Sequence, residues 1–218
     1  MIKKLLFVML SVFVLAACTL HRQEAEPLHQ TAPLFPDYAD VLLPVNISAP
    51  TFALNDSANA LESVQAVFSS GSETIIVGSD DTDGICISEA DWHKLVAASH
   101  EITVTIQGEK NGKWVEYDAF KMNISPDSID NTLVYRLIEP GYEVWNEMGI
   151  YQRSVENYDE DAIITNRQTD KGCMNCHSFC NYNPEQLMFH LRLNHAGTYM
   201  KNGKAQLRKL VTPKSLVY

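Results

Sequence analysis

Hydrophobic and polar residues alternate most clearly at 101–107, where Ile102, Val104 and Ile106 are interleaved with Glu101, Thr103, Thr105 and Gln107. A period of two puts the apolar side chains on one face of a strand and the polar ones on the other. Asn111-Gly112 follows, and then a second apolar-rich run over 113–124. Asn-Gly between two such runs is a strong hairpin signal. Phe120, Met122 and Ile124 keep one phase, whereas Val115 and Tyr117 take the other. A bulge near Asp118-Ala119 reconciles them. Residues 74–77, 84–88 and 132–138 are further short strands. Residues 88–99 read as a helix, with Ser88 as the cap, Asp91 at the capping-box position, and Trp92 and Leu95 on the buried side. Many short strands and few helices predict a mainly β (α+β) chain with a small β-sandwich-like domain over 49–140.

The pattern differs on either side of that domain. Pro27, Pro33, Pro36 and Pro44 punctuate 18–48 with no sustained period. Proline fixes φ and donates no hydrogen bond, so this stretch reads as an extended tether. Residues 141–170 are rich in Tyr, Asn, Asp and Glu and carry Trp145, Tyr151 and Tyr158, which suggests an irregular segment with aromatic anchors. Asn183-Pro184-Glu185-Gln186 reads as a helix start, with Asn as cap and Pro at the first position. Leu187, Met188 and Leu191 then form its apolar stripe. The whole of 141–218 is thus expected to be an irregular or helical segment. Asp80-Asp81-Thr82-Asp83-Gly84 faintly resembles a calcium loop, but Ala90 stands where the bidentate Glu belongs, and a solvated turn is the simpler reading.

Composition changes the picture at the N-terminus. The chain has 218 residues, 45% of them hydrophobic and 20% charged, which is a globular balance. Its net charge of −10 comes without a basic stripe, so nucleic acid is a poor partner. Lys3 and Lys4 precede an almost wholly apolar run over 5–17, the n- and h-regions of a secretory signal. The run is too short to span a bilayer, which takes roughly 20 residues. It ends Leu15-Ala16-Ala17-Cys18, which resembles a bacterial lipobox. On that resemblance 1–17 are removed and Cys18 is acylated, giving a stable membrane anchor when more than one chain is attached. The mature protein then faces an oxidising compartment outside the cytoplasm. Cys86, Cys173, Cys176 and Cys180 remain.

Cys173-Met174-Asn175-Cys176-His177 is a C-x-x-C-H motif, the attachment pattern of c-type haem. The two sulfurs at this spacing reach the two vinyl groups of one porphyrin, and the adjacent imidazole reaches the iron. His177 is then the proximal ligand, and His190 is the best distal candidate, with Met188, His195 and Met200 as alternatives. His21, His29, His93 and His100 receive no ligand role. Two other readings use the same atoms. Cys173 and Cys176 with His190 and His195 approach the spacing of a zinc finger, with His177 and Cys180 as spare ligands. Alternatively, the four cysteines form disulfides, for example Cys86 with Cys180 and Cys173 with Cys176. The segment after His177 is short for a self-contained cytochrome, so haem would need walls from 141–170 or from the β domain.

Tyr135-Arg-Leu-Ile-Glu-Pro-Gly-Tyr142, Gly149-Ile-Tyr-Gln-Arg153 and Lys171-Gly-Cys-Met-Asn-Cys-His-Ser-Phe179 resemble a family of bacterial envelope lipoproteins described as TolB-like or WD40-like. The resemblance spans about 36–218 and is most specific over 135–200. It implies that Cys173, Cys176 and His177 are haem-attachment positions and that His190 lies in the family's Met-Phe-His. It also implies a β-propeller after the C-x-x-C-H region, whereas this sequence reaches Tyr218 about where the propeller would begin. No Ser/His/Asp or paired-carboxylate constellation stands out, so hydrolysis has no independent support. The sequence therefore predicts a lipid-anchored envelope haem protein that transfers electrons or senses redox state with a protein partner. The alternative is a non-redox scaffold or binding lipoprotein whose Cys/His cluster holds zinc or disulfides.

Overall fold

The computed structural model describes residues 20–55, 59–79, 84–138, 147–203 and 206–211. Cys18 with the signal segment, the acidic turn at 80–83, and Trp145 lie outside these residues. The chain is mainly β. Its first unit comprises β1 (Glu26–Thr31), β2 (Leu34–Phe35), β3 (Val41–Pro44), β4 (Thr51–Leu54), β5 (Ser63–Ser70), β6 (Glu73–Ser79), β7 (Ile85–Cys86), α1 (Glu89–Ala98), β8 (Glu101–Lys110), β9 (Lys113–Asp118) and β10 (Phe120–Ser125).

β8 is the centre of the main sheet. It pairs antiparallel with β5 on one side and with β9 and then β10 on the other, and β6 lies outside β5. The β8–β9 turn is the Asn111-Gly112 pair, with φ of 53° and 72°. Two consecutive positive φ values match the twist of a tight hairpin. The register advances by one residue between the Gln107–Glu116 and Val104–Phe120 pairs, so the bulge sits at 117–119 and switches the phase of the strand. α1 is capped by Ser88, whose Oγ accepts from the Asp91 backbone N–H at 3.1 Å and donates to the Asp91 carboxylate at 2.8 Å. The Lys94 ammonium, and then Ser88, hold the Asp91 carboxyl below its ordinary range.

One face of the sheet presents Ala66, Phe68, Ile102, Val104, Ile106 and Met122, all buried. Across from it lie Trp92 and Leu95 of α1, together with Phe52 and Ile85 of the small β2–β4–β7 sheet. Trp92 Nε1 donates to the Ile47 carbonyl at 3.0 Å, so the indole is buried without losing a hydrogen bond.

The other face holds a polar pair. Gln65 and Gln107 are buried, and Gln65 Nε2 donates to Gln107 Oε1 at 2.8 Å. Gln65 also donates to the His21 carbonyl, and Gln107 exchanges bonds with the Gln23 backbone. The N-terminal residues thus lie against the sheet. Farther along, β1 pairs with β9 and β3 with β10, both in parallel. The stretch expected as a tether is therefore paired over 26–31 and 41–44. Its prolines break periodicity but do not prevent short edge strands, and the outer edge of β9 and β10 supplies partners for their backbone groups.

The second unit contains β11 (Thr132–Ile138), β12 (Met148–Ser154) and β13 (Glu160–Thr165) in one sheet, and β14 (Met174–Cys180), β15 (Asn183–Leu191), β16 (Gly197–Asn202) and β17 (Gln206–Val211) in a four-stranded meander. Residues 132–138, expected within the 49–140 domain, pair with β12 instead. Most of the described residues of 141–170 are strand, not irregular. The helix expected after Asn183 is β15. Asn183 Oδ1 accepts from the Glu185 backbone N–H at 3.0 Å, making an Asx turn in place of a helix cap. Leu187, Phe189 and Leu191 then alternate inward. They form a second core with Met174, Met148, Ile150 and Ile164.

Candidate functional site

The C-x-x-C-H motif enters through a tight turn and lies on β14. Asp170 and Lys171 adopt φ of 50° and 59°, and the Gly172 N–H donates to the Thr169 carbonyl at 2.8 Å. A Cβ on Gly172 would meet the Thr169 and Arg192 carbonyl oxygens at 2.9 Å, so the turn packs too closely for a side chain. Cys173 follows, half-buried against the second core. Its carbonyl accepts from the Arg192 N–H at 2.9 Å, which ties the start of the motif to the end of β15.

A bulge shapes the rest of the motif. Asn175 pairs with His190 and Ser178 with Met188, so Cys176 and His177 together oppose Phe189. Cys176 has φ of 56°, which accommodates the extra residue. On an unbroken strand Cys176 and His177 would point to opposite faces; the bulge relaxes that alternation. The His177 ring meets Phe179 edge-on, with centroids 5.8 Å apart, and Phe179 packs against the second core. Burial lowers the His177 pKa from its usual 6.5, and the Arg136 guanidinium on β11 adds to the effect. The imidazole is therefore neutral near pH 7, the form that binds metal ions. Cys86, Cys173, Cys176 and Cys180 are all free thiols.

The other predicted ligands lie elsewhere. Met188, His190 and Met200 alternate to the face of the meander opposite that of Leu187 and Phe189. His177 shares its face with Phe179 instead. His190 Nδ1 is 3.1 Å from the Thr198 hydroxyl, and His195 Nε2 is 2.9 Å from the Asp170 carboxylate. The structure thus holds Cys173, Cys176 and His177 on one short segment, with His190 opposite Asn175 and Met188 opposite Ser178 on the neighbouring strand but on the other face from Phe179. Among the described residues, no three His, Cys, Asp or Glu side chains converge on one point, neither the zinc set nor Cys173, Cys176 and His177. Two contributors carry no sequence signal: Arg136 lies on a distant strand, and Phe179 becomes a neighbour of His177 only through strand alternation.

The chain matches no family model, no curated protein and no solved structure. Among the described residues, no helix is long and apolar enough to cross a membrane.

Proposed function

We propose that this chain is a lipid-anchored protein of the bacterial envelope that carries one haem covalently on Cys173 and Cys176, with His177 as the residue that would hold its iron. One observation carries the reading: two unpaired thiols at C-x-x-C spacing adjoin an imidazole that burial keeps neutral. This donor set fits a c-type attachment site, because thioether formation consumes free thiols and iron takes a neutral imidazole nitrogen. A haem so held supplies a one-electron couple, and the expected role is electron transfer or redox sensing with a protein partner. Of the chain's own residues, Phe179 orients the His177 ring, and Arg136 and the burial around that ring disfavour its protonation. Gly172 and the Arg192–Cys173 hydrogen bond fix where the first thiol begins the strand. Met188, His190 and Met200 lie on the face of the meander opposite that of Phe179, which supports His177 as the one predicted ligand that would hold the iron.

The test is expression with a haem-attachment system, followed by a visible spectrum and a denaturing gel stained for haem. The wild-type chain should show a Soret band and a haem-stained band, and Cys173→Ser with Cys176→Ser should abolish both. His190→Ala should leave the Soret band in place. A colourless wild-type chain that binds about one zinc would overturn the proposal in favour of the non-redox reading. For the anchor, Cys18→Ala should move the protein from the membrane fraction to the soluble fraction.

A further inference from the structure

The outer face of the four-stranded meander carries three sulfurs. Met188 on β15 and Met200 on β16 are direct cross-strand partners, and directly opposed residues hold their Cβ atoms about 5 Å apart. Ser178 of β14 opposes Met188 on the other side. Cys180, two residues beyond Ser178, lines the same cleft of about 320 Å³ as both methionines. Neither methionine belongs to the second core, which Leu187, Phe189 and Leu191 fill from the opposite face. Packing of that core therefore does not account for them. The thiol is free and exposed.

Among the described residues the rest of the lining is uncharged, with Ser178, Gln186 and Asn202 on the same face as the methionines. Among the described residues no carboxylate lines the cleft, so their side chains do not supply the hard carboxylate oxygens that calcium, magnesium or manganese favour. Thioether and thiolate sulfurs are soft donors and select monovalent copper. Charge points the same way. A single thiolate neutralises a +1 ion, whereas a +2 ion would leave uncompensated charge against an apolar wall.

We propose that Cys180, Met188 and Met200 form a binding site for Cu(I), separate from the C-x-x-C-H motif. Binding forms a copper–thiolate bond at Cys180 Sγ and two copper–thioether contacts at the methionine Sδ atoms. The Cys180 proton passes to solvent, and the metal keeps its oxidation state. The site does not depend on the haem proposal.

The test uses the full chain carrying Cys173→Ser and Cys176→Ser, which removes both the haem-attachment thiols and their own affinity for copper. Under anaerobic reducing conditions this protein is titrated with Cu(I) in competition with bicinchoninate. It should bind one Cu(I) per chain. Adding Met188→Leu and Met200→Leu, which keep side-chain size, should weaken binding by at least about tenfold, and Cys180→Ser should do the same. In parallel, the same Cys173→Ser, Cys176→Ser protein labelled with 13C at the methionine methyl groups should show the Met188 and Met200 resonances shifting on addition of one equivalent. Failure of the Cys173→Ser, Cys176→Ser chain to bind Cu(I), unchanged affinity in the leucine variant, or unmoved Met188 and Met200 methyl signals would each overturn the site.

Discussion

A histidine that loses solvent without gaining a carboxylate partner titrates low, and His177 is in that position beside Phe179 and near Arg136. Its folded pKa lies below the 6.5 of an exposed imidazole. The unfolded chain therefore takes up the proton first as the pH falls. The stability due to this group is complete above pH 6.5 and is lost as the pH drops through the lowered folded value. Urea midpoints measured from neutral to mildly acidic pH should decline in the chain expressed without haem, and His177→Gln should remove that part of the decline. A ring-proton titration with a midpoint above 6.5 would contradict the burial argument. At this scale the motif itself was legible, because C-x-x-C-H is a matter of local spacing. The environment of its histidine was not, because Arg136 reaches it from another sheet.

At the scale of elements, Gly172 shows how a turn sets up a strand. Its position leaves 2.9 Å between a hypothetical Cβ and each of two backbone carbonyl oxygens, and neither backbone oxygen can swing away as a flexible side chain would. Gly172→Ala should destabilise the second unit by about 1–3 kcal/mol, the usual cost of overpacking. Urea denaturation followed by Trp or Tyr fluorescence would measure it, and an unchanged midpoint would show that the turn relaxes freely. The same scale separates what patterning reveals from what it hides. The β8–β9 hairpin, its bulge and α1 follow from alternation, an Asn-Gly pair and a serine cap, all local signals. The segment of β15 reads as a helix because Asn183-Pro184 suits a helix start as well as an Asx turn, and because Leu187, Met188 and Leu191 satisfy a helical stripe. The alternation of Leu187, Phe189 and Leu191 was the competing signal, and it prevails because these residues close a core against β12 and β13. The edge strands β1 and β3 gave no periodic signal, since their formation depends on partners far along the chain.

Among the described residues, polar contacts tie 46–49 to the second unit and to the segment that leads into it. Asn46 Nδ2 donates to the Ile129 carbonyl at 2.9 Å, and its Oδ1 accepts from the Ile129 N–H at 3.0 Å. The Ser48 N–H donates to the Val155 carbonyl at 2.7 Å, and the Tyr158 hydroxyl bonds the Ala49 carbonyl. Asn46→Ala removes both bonds to Ile129. At about 1 kcal/mol for each bond, it should lower stability by roughly 1–2 kcal/mol and speed hydrogen exchange at the Ile129 amide. Exchange at Ile106 in the first core should change far less. Equal acceleration at both amides would mean that the units unfold as one.

The parallel pairing of β1 with β9 and of β3 with β10 also fixes an order of assembly. The chain emerges from its N-terminus, yet β1 and β3 find their partner residues only about 80–90 positions later. Contacts of such long sequence separation slow folding, because the intervening loop must close before any pairing is gained. During synthesis residues 26–31 and 41–44 must therefore wait, with their backbone groups available to water or to a chaperone, until β8, β9 and β10 have formed the edge that receives them.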